Sequence, residues 1–242
     1  MIKSIFSACL AMVALIASQP ALGQDTPPAQ EPTRRGLPDL PGSFVLEFGF
    51  NQTMDAPDTF DIGFWGSRSV NIFYQFDKRI GNSKFSIHPG LGLSLERFKL
   101  KNNYTLTSTT STTELVPADD FYPGIKKSMV VTNYFEVPLE IRFSTRPDDP
   151  SRSFRLSVGG RIGYLFDSST KIKYNEDGEV KTIKDKQNYN LTKLRYGTFF
   201  KVGAGNIGLI AYYNLTPLFE EEEGPEQTEM STFSIGLSVS SF

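Results

Sequence analysis

The chain has 242 residues, a formal net charge of −2, and a single cysteine and a single histidine. The near balance of charge gives little attraction to a polyanion, which argues against a nucleic-acid partner. The one cysteine is Cys9, close to the N-terminus. The remainder of the chain therefore cannot form a disulfide, a thiolate nucleophile or a cysteine metal site.

Residues 1–23 have the features of a secretion signal. Lys3 precedes an apolar run, and the small residues Ala21 and Gly23 stand before a predicted cleavage site at Gln24. A buried N-terminal helix is the alternative, but the proline-rich segment that follows argues against it. Residues 24–42 are rich in proline and charge, which predicts a disordered leader in the periplasm. Residues 43–242 are predicted to form one domain.

Residues 129–143 show the pattern on which the fold prediction depends. Apolar side chains occupy every odd position except Asn133, and the even positions include Glu136, Glu140 and Arg142. Because strand side chains alternate between two faces, this segment has one apolar and one charged face. A soluble sandwich buries the apolar face, whereas a membrane barrel turns it toward lipid and the charges toward the lumen.

The same alternation recurs along the domain, and the connectors alternate between short turns and long loops. This rhythm is typical of outer-membrane barrels. The sequence therefore predicts an all-β fold, a single antiparallel transmembrane β-barrel of about eight strands with up-and-down topology. In the third strand the apolar phase changes near Arg97, where we expect a bulge or the exit from the membrane. The predicted strands are residues 44–51, 70–77, 85–100, 129–143, 154–166, 193–202, 207–214 and 233–240.

The charged faces converge on the barrel axis in this interpretation. A barrel of eight strands is just wide enough to be filled by side chains, so the inward ions must pair with one another. We expect a structural charge network that plugs the lumen, and a selectivity path for ions or solutes is the competing interpretation. The predicted network comprises Glu47, Glu96, Glu136, Glu140, Arg142, Arg155, Arg161, Lys193, Arg195 and Lys201.

The sequence offers little for catalysis or metal binding. His88 falls on the inward face of the third strand, where a hydrogen-bonding role is expected rather than a catalytic one. No Gly-x-Ser-x-Gly or His-Glu-x-x-His motif is present. Residues 220–223, four glutamates, are expected to be a solvated loop, with a calcium contact as the alternative. The threonine-rich residues 105–113 are expected to be mobile or β-extended above the membrane. We expect no enzyme activity and no cofactor.

Two neighbouring strands carry a family resemblance. Residues 134–143 read YFEVPLEIRF and residues 158–164 read VGGRIGY. This pairing resembles the PorT-like outer-membrane β-barrel proteins of Bacteroidetes-type bacteria. The resemblance implies a single small barrel and, for some members, a link to protein secretion and gliding. It implies no catalytic residues. Phe242 matches the terminal aromatic of barrel-assembly signals, although the apolar residues of the last strand sit at odd positions.

Together these features predict a monomeric, non-enzymatic integral protein of the Gram-negative outer membrane with both termini in the periplasm. Its role is expected to be structural, at the surface, or accessory to secretion. The expected partners are outer-membrane lipid and lipopolysaccharide, the barrel-assembly machinery, and secretion or envelope proteins. Three alternatives remain open: a narrow or transport-associated channel, a barrel enzyme acting on lipid or peptide, and a soluble periplasmic ligand-binding barrel.

Overall fold

The computed structural model describes residues 42–109 and 111–241. The predicted signal peptide, nearly all of the predicted leader, and Phe242 lie outside this part of the chain. The described residues form antiparallel strands joined by turns, loops and four short 3-10 helices. The strands are β1 (Ser43–Met54), β2 (Arg68–Gln75), β3 (Lys78–Arg79), β4 (Phe85–Leu100), β5 (Tyr104–Ser108), β6 (Thr113–Pro117), β7 (Ile125–Ser144), β8 (Phe154–Glu176), β9 (Glu179–Asp185), β10 (Leu194–Ala204), β11 (Ile207–Asn214) and β12 (Ser231–Ser240).

Eight of these strands close into a ring in the order β1, β2, β4, β7, β8, β10, β11, β12 and back to β1. Every pairing in the ring is antiparallel, and each strand pairs with the next long strand along the chain. The predicted eight-stranded up-and-down barrel is therefore confirmed. The ring leaves no unpaired edge, since β1 pairs with both β2 and β12.

The outer wall is apolar and the inner wall polar, as the alternation predicts. On β7, Val137 is 60%, Leu139 53% and Ile141 48% exposed, whereas Glu140 is fully buried. In the inter-strand register the outward residues of successive strands lie side by side. One such row runs around much of the barrel and consists of Leu46, Ile72, Leu93, Phe135, Tyr164 and Leu194. A soluble barrel would hide this surface, because so large an apolar area exposed to water is very unfavourable.

No bulge accounts for the shift of apolar residues from odd to even positions near Arg97. The pairing of β4 with β7 continues through Glu96, Arg97 and Phe98 without a shift, and Phe98 faces inward on the same side as Glu96. The side chains keep the same orientation along β4, but beyond this point the outward face becomes charged and the inward face becomes apolar. This inversion fits the second expectation, that the strand leaves the membrane here. Two register shifts lie between β7 and β8, where Phe166 and Lys126 are each an extra residue.

The long connections contain further strands. β5 and β6 form a separate hairpin in the connection between β4 and β7, so the threonine-rich tract is partly β-extended. β8 continues beyond the ring and pairs with β9, within the connection that leads to β10. We call this side of the barrel the loop end and the opposite side the turn end. Among the described residues, no helix combines the length and apolarity needed to cross a bilayer.

The outward position of Leu139 gives a direct test of the fold. Replacing Leu139 by Arg places a charge at mid-height of the apolar wall, which should destabilise the barrel in lipid by about 2–4 kcal/mol. The matched control is Leu215→Arg, since Leu215 is also exposed but follows the end of β11. It should cost about 0–1 kcal/mol, as expected near an interface. Equilibrium urea unfolding in lipid vesicles measures both values, and equal costs would argue against a lipid-facing wall.

Candidate functional site

The lumen is the most densely organised polar region of the protein. Four carboxylates and four cations from five strands of the ring meet there, and all the carboxylates are buried. Alternation along each strand turns them inward, since each is flanked by outward-facing residues. The set comprises Glu47 on β1, Glu96 on β4, Glu136, Glu140 and Arg142 on β7, Arg161 on β8, and Arg195 and Lys201 on β10.

Arg195 holds two of the carboxylates. Its Nη1 and Nη2 donate to the two oxygens of Glu96 at 2.9 Å each, a two-pronged pair. Nη2 and Nε also donate to Glu136 Oε1, at 2.7 and 3.1 Å. The guanidinium carbon lies 3.6 Å from the ring centroid of Tyr134, a cation–π contact. Gly163 stands between Glu136 and Arg195 in the register, and a Cβ there would lie only 3.1–3.2 Å from both side chains. The glycine thus makes room for the pair.

Arg161 and Lys201 extend the network toward the turn end. Arg161 Nη2 donates to Glu47 Oε2 at 2.6 Å, and its Nη1 lies 3.8 Å from Glu136 Oε2. Lys201 Nζ bridges Glu47 Oε1 at 3.0 Å and Glu140 Oε2 at 2.9 Å. Arg142 Nε then donates to Glu140 Oε1 at 2.8 Å. The eight side chains therefore form one continuous chain of ion pairs along the lumen.

Aromatic rings complete the surroundings of Arg161. Within the described chain its Nε and Nη1 make no hydrogen bond. Instead the guanidinium lies over the rings of Phe73, Phe199 and Tyr212, at 4.7 to 4.8 Å. The negative ring faces compensate part of the missing hydrogen bonding. Phe73 is inward although its strand carries mostly apolar residues outward, and it serves here as packing for a cation.

The structure places the ten residues predicted for the network in three groups. Eight of them are the ion-paired set just described. Arg155 is half-buried at the turn end and donates to Ser240 Oγ at 3.3 Å. Lys193 does not point inward as predicted: it is exposed, because β10 begins one residue later and the backbone N–H of Lys193 donates to Glu220 in the last long loop.

A cluster of buried apolar side chains lies at the loop end. The strand alternation did not predict this cluster. The signal in the sequence was that Phe98 and Leu100 occupy even positions, on the same face as Glu96. These residues pack with side chains from the long connections, which sequence patterns could not bring together. We call this cluster the apolar cap. It comprises Phe60, Ile62, Phe98, Leu100, Leu106, Val130, Tyr134, Leu165, Tyr189, Leu191, Leu218, Phe219 and Met230.

Tyr134 belongs to both parts of the lumen. Its ring packs in the apolar cap and also contacts the guanidinium of Arg195. On the far side of the cap, the hydroxyl of Tyr189 lies 2.9 Å from Thr170 Oγ1. Burial there raises the pKa of Tyr189 to about 12. Through Tyr134 the charge network and the apolar cap are in direct contact.

His88 lies at the turn end, in the wall of a cavity of about 190 Å³. Its Nδ1 faces the carboxylate of Asp77, and its Nε2 lies 2.7 Å from Ser86 Oγ. Burial alone would raise the pKa of Asp77, but the hydrogen bond and charge of His88 outweigh it and hold that pKa below its usual range. A carboxylate only accepts, so Nδ1 donates to Asp77. Nε2 accepts from the Ser86 hydroxyl when the ring is neutral and donates to it when the ring is protonated.

This Ser–His–Asp order is the one used by serine hydrolases, which also need free donors for the developing oxyanion. Ser86 pairs with Arg79 on one neighbouring strand and with Arg142 on the other. The next residue, Ile87, is also paired on both sides. The guanidinium of Arg142, which lines the same cavity, already donates to Glu140. The arrangement therefore fits a hydrogen-bonding role for His88. In the described residues, no group of His, Cys, Asp or Glu side chains could hold a metal ion.

The closed barrel with its apolar exterior agrees with the family found in the comparison with known sequences. The sequence profile of a family described as "Outer membrane protein beta-barrel domain" matches residues 29–220. The chain belongs to this family. It is accordingly an outer-membrane β-barrel protein. No curated protein sequence matches the chain.

Two solved structures share similarity with this barrel. One is Ail, the attachment invasion locus protein of Yersinia pestis, at 13% identity, covering 84% of this chain and 100% of that chain with a TM-score of 0.34. The other is Neisserial surface protein A, at 9% identity, covering 83% of this chain and 96% of that chain with a TM-score of 0.35. At this distance the likeness says nothing about function.

The contribution of the network can be measured at Arg195. Arg195→Met leaves Glu96 and Glu136 without their shared partner, and removing one side of a buried pair costs about 3–5 kcal/mol. Lys193→Met removes a cation two positions away that is exposed, and should change stability by at most about 0.5 kcal/mol. Urea unfolding of the two variants in the same lipid gives the comparison. A loss at Arg195 no larger than at Lys193 would contradict the network.

The role of His88 can be tested with an activity-based probe. We expect a fluorophosphonate, which reacts with activated serine hydroxyls, to leave Ser86 unlabelled, because the backbone N–H groups of Ser86 and Ile87 lie in sheet ladders and are not available to an oxyanion. The variant Ser86→Ala is the control for labelling at any other serine. Labelling of the wild type that disappears in Ser86→Ala and in His88→Ala would establish a reactive serine and revive the enzyme alternative.

Proposed function

We propose that this protein is a non-enzymatic outer-membrane barrel with a closed lumen that acts in a structural or surface role, or as an accessory to secretion. The observation that carries the proposal is the continuous set of ion pairs across the lumen. Cations and carboxylates there are equal in number, so the network is neutral and offers no net attraction to ions of either sign. A barrel of this strand number holds side chains rather than a water column.

The apolar cap adds a second closure. Phe60, Tyr189, Leu191 and Met230 are at most 1% exposed. An ion that entered from the loop end would have to leave its water and displace these side chains, which is strongly unfavourable. The channel alternative needs a wet path lined by polar groups, and both the cap and the paired charges argue against one.

With the lumen filled, the surfaces left for contact are the outer wall and the two ends. At the loop end, the β5–β6 hairpin and the extension formed by β8 and β9 stand beyond the ring. These are the surfaces where secretion or envelope proteins would dock, in keeping with the resemblance to PorT-like barrels. The closed ring needs no second copy to complete its sheet, which supports the proposal that the protein acts as a monomer. The wall itself would contact outer-membrane lipid and lipopolysaccharide.

Export and insertion follow from the same proposal. Residues 1–23 would act as the signal peptide, and the barrel-assembly machinery would insert the domain. β1 begins and β12 ends at the turn end, since Ser43 pairs with Gln75 and Val45 with Ser240. In an outer-membrane barrel the short turns face the periplasm, so both termini would lie there. The exposed apolar wall argues against the soluble ligand-binding alternative.

Planar-bilayer recordings test the closed lumen. We expect no stepwise conductance from the purified, refolded protein, because the charge network and the apolar cap fill the axis. Insertion is checked independently by the shift in electrophoretic mobility between heated and unheated samples. Steady, ion-selective conductance steps from the folded band would overturn the closed barrel and favour the channel.

A further inference from the structure

One side of the outer wall carries a concentration of positive charge at the loop end. Six basic residues on four adjacent strands face outward: five lie between buried neighbours, and the sixth, Lys127, has the same parity as the outward residues of β7. We call them the basic wall patch. It consists of Arg68 on β2, Arg97 and Lys99 on β4, Lys127 on β7, and Lys171 and Lys173 on β8.

The register shows that the patch is continuous. Arg68 lies directly opposite Arg97 on the next strand, and Lys127 lies opposite Lys173. Met129 stands opposite both Lys99 and Lys171, and its side chain is buried. The ammonium of Lys127 is close enough to Lys99, Lys173, Arg97 and Arg68 to be repelled by all four.

These charges have no acidic partners in the described part of the chain, unlike basic residues nearby. Lys101 pairs with Asp61 at 2.8 Å, and Lys186 pairs with Asp167 at 2.8 Å. No carboxylate lies within 4.0 Å of a basic group of the patch. A cluster of six uncompensated cations is unfavourable by itself, which points to an anion supplied from outside.

The patch begins where the apolar wall ends. On β2 and β4, the paired residues Val70 and Leu95 are the last apolar pair before Arg68 and Arg97. Two residues along a strand correspond to roughly 7 Å, so the first tier of charge lies at the level where hydrocarbon gives way to lipid headgroups. The remaining lysines lie farther along, toward the loops.

The opposite side of the wall is different at the same end. There the outward residues of the paired strands near the loops are Tyr196, Tyr213 and Phe233, on β10, β11 and β12. The exposed Lys193, directly before β10, is a single basic residue and not a cluster. A general preference for basic residues at a membrane interface would have distributed them around the whole ring. The one-sided arrangement indicates a specific site.

We propose that the basic wall patch binds the phosphate groups of a phosphorylated lipid headgroup, that of the lipid A in the leaflet at the loop end. A lipid fits both features, because its acyl chains would cover the apolar row below while its phosphates meet the bases above. Several bases at successive heights suit a headgroup with more than one phosphate. The inference rests on the proposed function, in which the loop end faces the outer leaflet.

Binding of purified lipid A to the folded protein in detergent micelles tests the site. The probes are lipid A with two phosphates, the same lipid with both phosphates removed, and inorganic phosphate. The wild type should bind the first, with an affinity that falls as salt rises, and should bind neither of the others at comparable concentration. Equal binding of the dephosphorylated lipid would overturn the proposal, since the phosphates would then contribute nothing.

Two matched double variants locate the site. Lys99→Glu with Lys127→Glu reverses two central charges and should weaken lipid A binding by at least about tenfold. Lys78→Glu with Lys84→Glu makes the same change at exposed lysines of the turn end and should leave binding unchanged. If the first pair fails to fold, Lys99→Gln with Lys127→Gln replaces it, with a smaller loss expected. Wild-type affinity in the patch variant would overturn the site.

A cysteine-labelling arm separates failure of the site from failure of the proposed orientation. Phe121→Cys at the loop end should react with an impermeant maleimide on intact cells, whereas Asn82→Cys at the turn end should react only after lysis. The reverse pattern, with phosphate-dependent binding retained in micelles, would overturn the orientation and support the site. The expected pattern with no phosphate-dependent binding would overturn the site alone.

Discussion

The structure depends on a wall one strand thick that separates two different environments. Outside it, hydrocarbon accepts only apolar side chains. Inside it, a ring of eight strands is too narrow for bulk water, so polar side chains must find partners among themselves. The alternation along each strand satisfies both sides at once, with Leu139 and Ile141 in lipid and Glu140 between them in the lumen. The pairing of Glu140 with Lys201 and Arg142 follows from this constraint.

The same wall explains why polarity inverts toward the loop end while the facing of the side chains does not. Beyond Arg97 the outer face leaves hydrocarbon, so charge is favoured there and Lys99 follows. The inner face is now covered by the long connections instead of being surrounded by the ring alone, so Phe98 and Leu100 find an apolar environment. Tyr134 connects the charged part of the lumen with the apolar part, since it packs in the apolar cap and contacts Arg195. The shift of the apolar residues from odd to even positions near Arg97 therefore marks the point where the outer face leaves hydrocarbon.

The charges in the lumen and those on the outer wall differ in their partners. The charges inside are neutralised by one another, whereas those of the basic wall patch are not, although both sets lie on the same strands. Arg97 and Glu96 are neighbours in sequence and face opposite sides. Glu96 is held by Arg195, but Arg97 has another cation, Arg68, beside it. The difference between a structural charge and one available to a ligand is thus visible in its partners.

Much of the fold was determined by the sequence alone. A period of two residues fixes which side chains share a face, so the eight strands, the lipid-facing rows and most of the inward charges could be predicted from local pattern. What local pattern cannot supply is which inward residue meets which. Glu47 and Arg161 are far apart in sequence and meet because the ring closes, and Gly163 matters only because Glu136 and Arg195 lie on either side of it.

The apolar cap and the position of Lys193 also belong to the tertiary structure. Phe60, Tyr189 and Met230 come from connections without a strand period, so nothing in their own segments indicated that they would be buried. Lys193 has the odd number shared by the inward residues of β10, but it precedes the start of that strand. Alternation predicts the orientation of a side chain only where the strand is paired. Periodicity decides the face of a paired residue, and only the closed ring and its loops decide the neighbours it finds there.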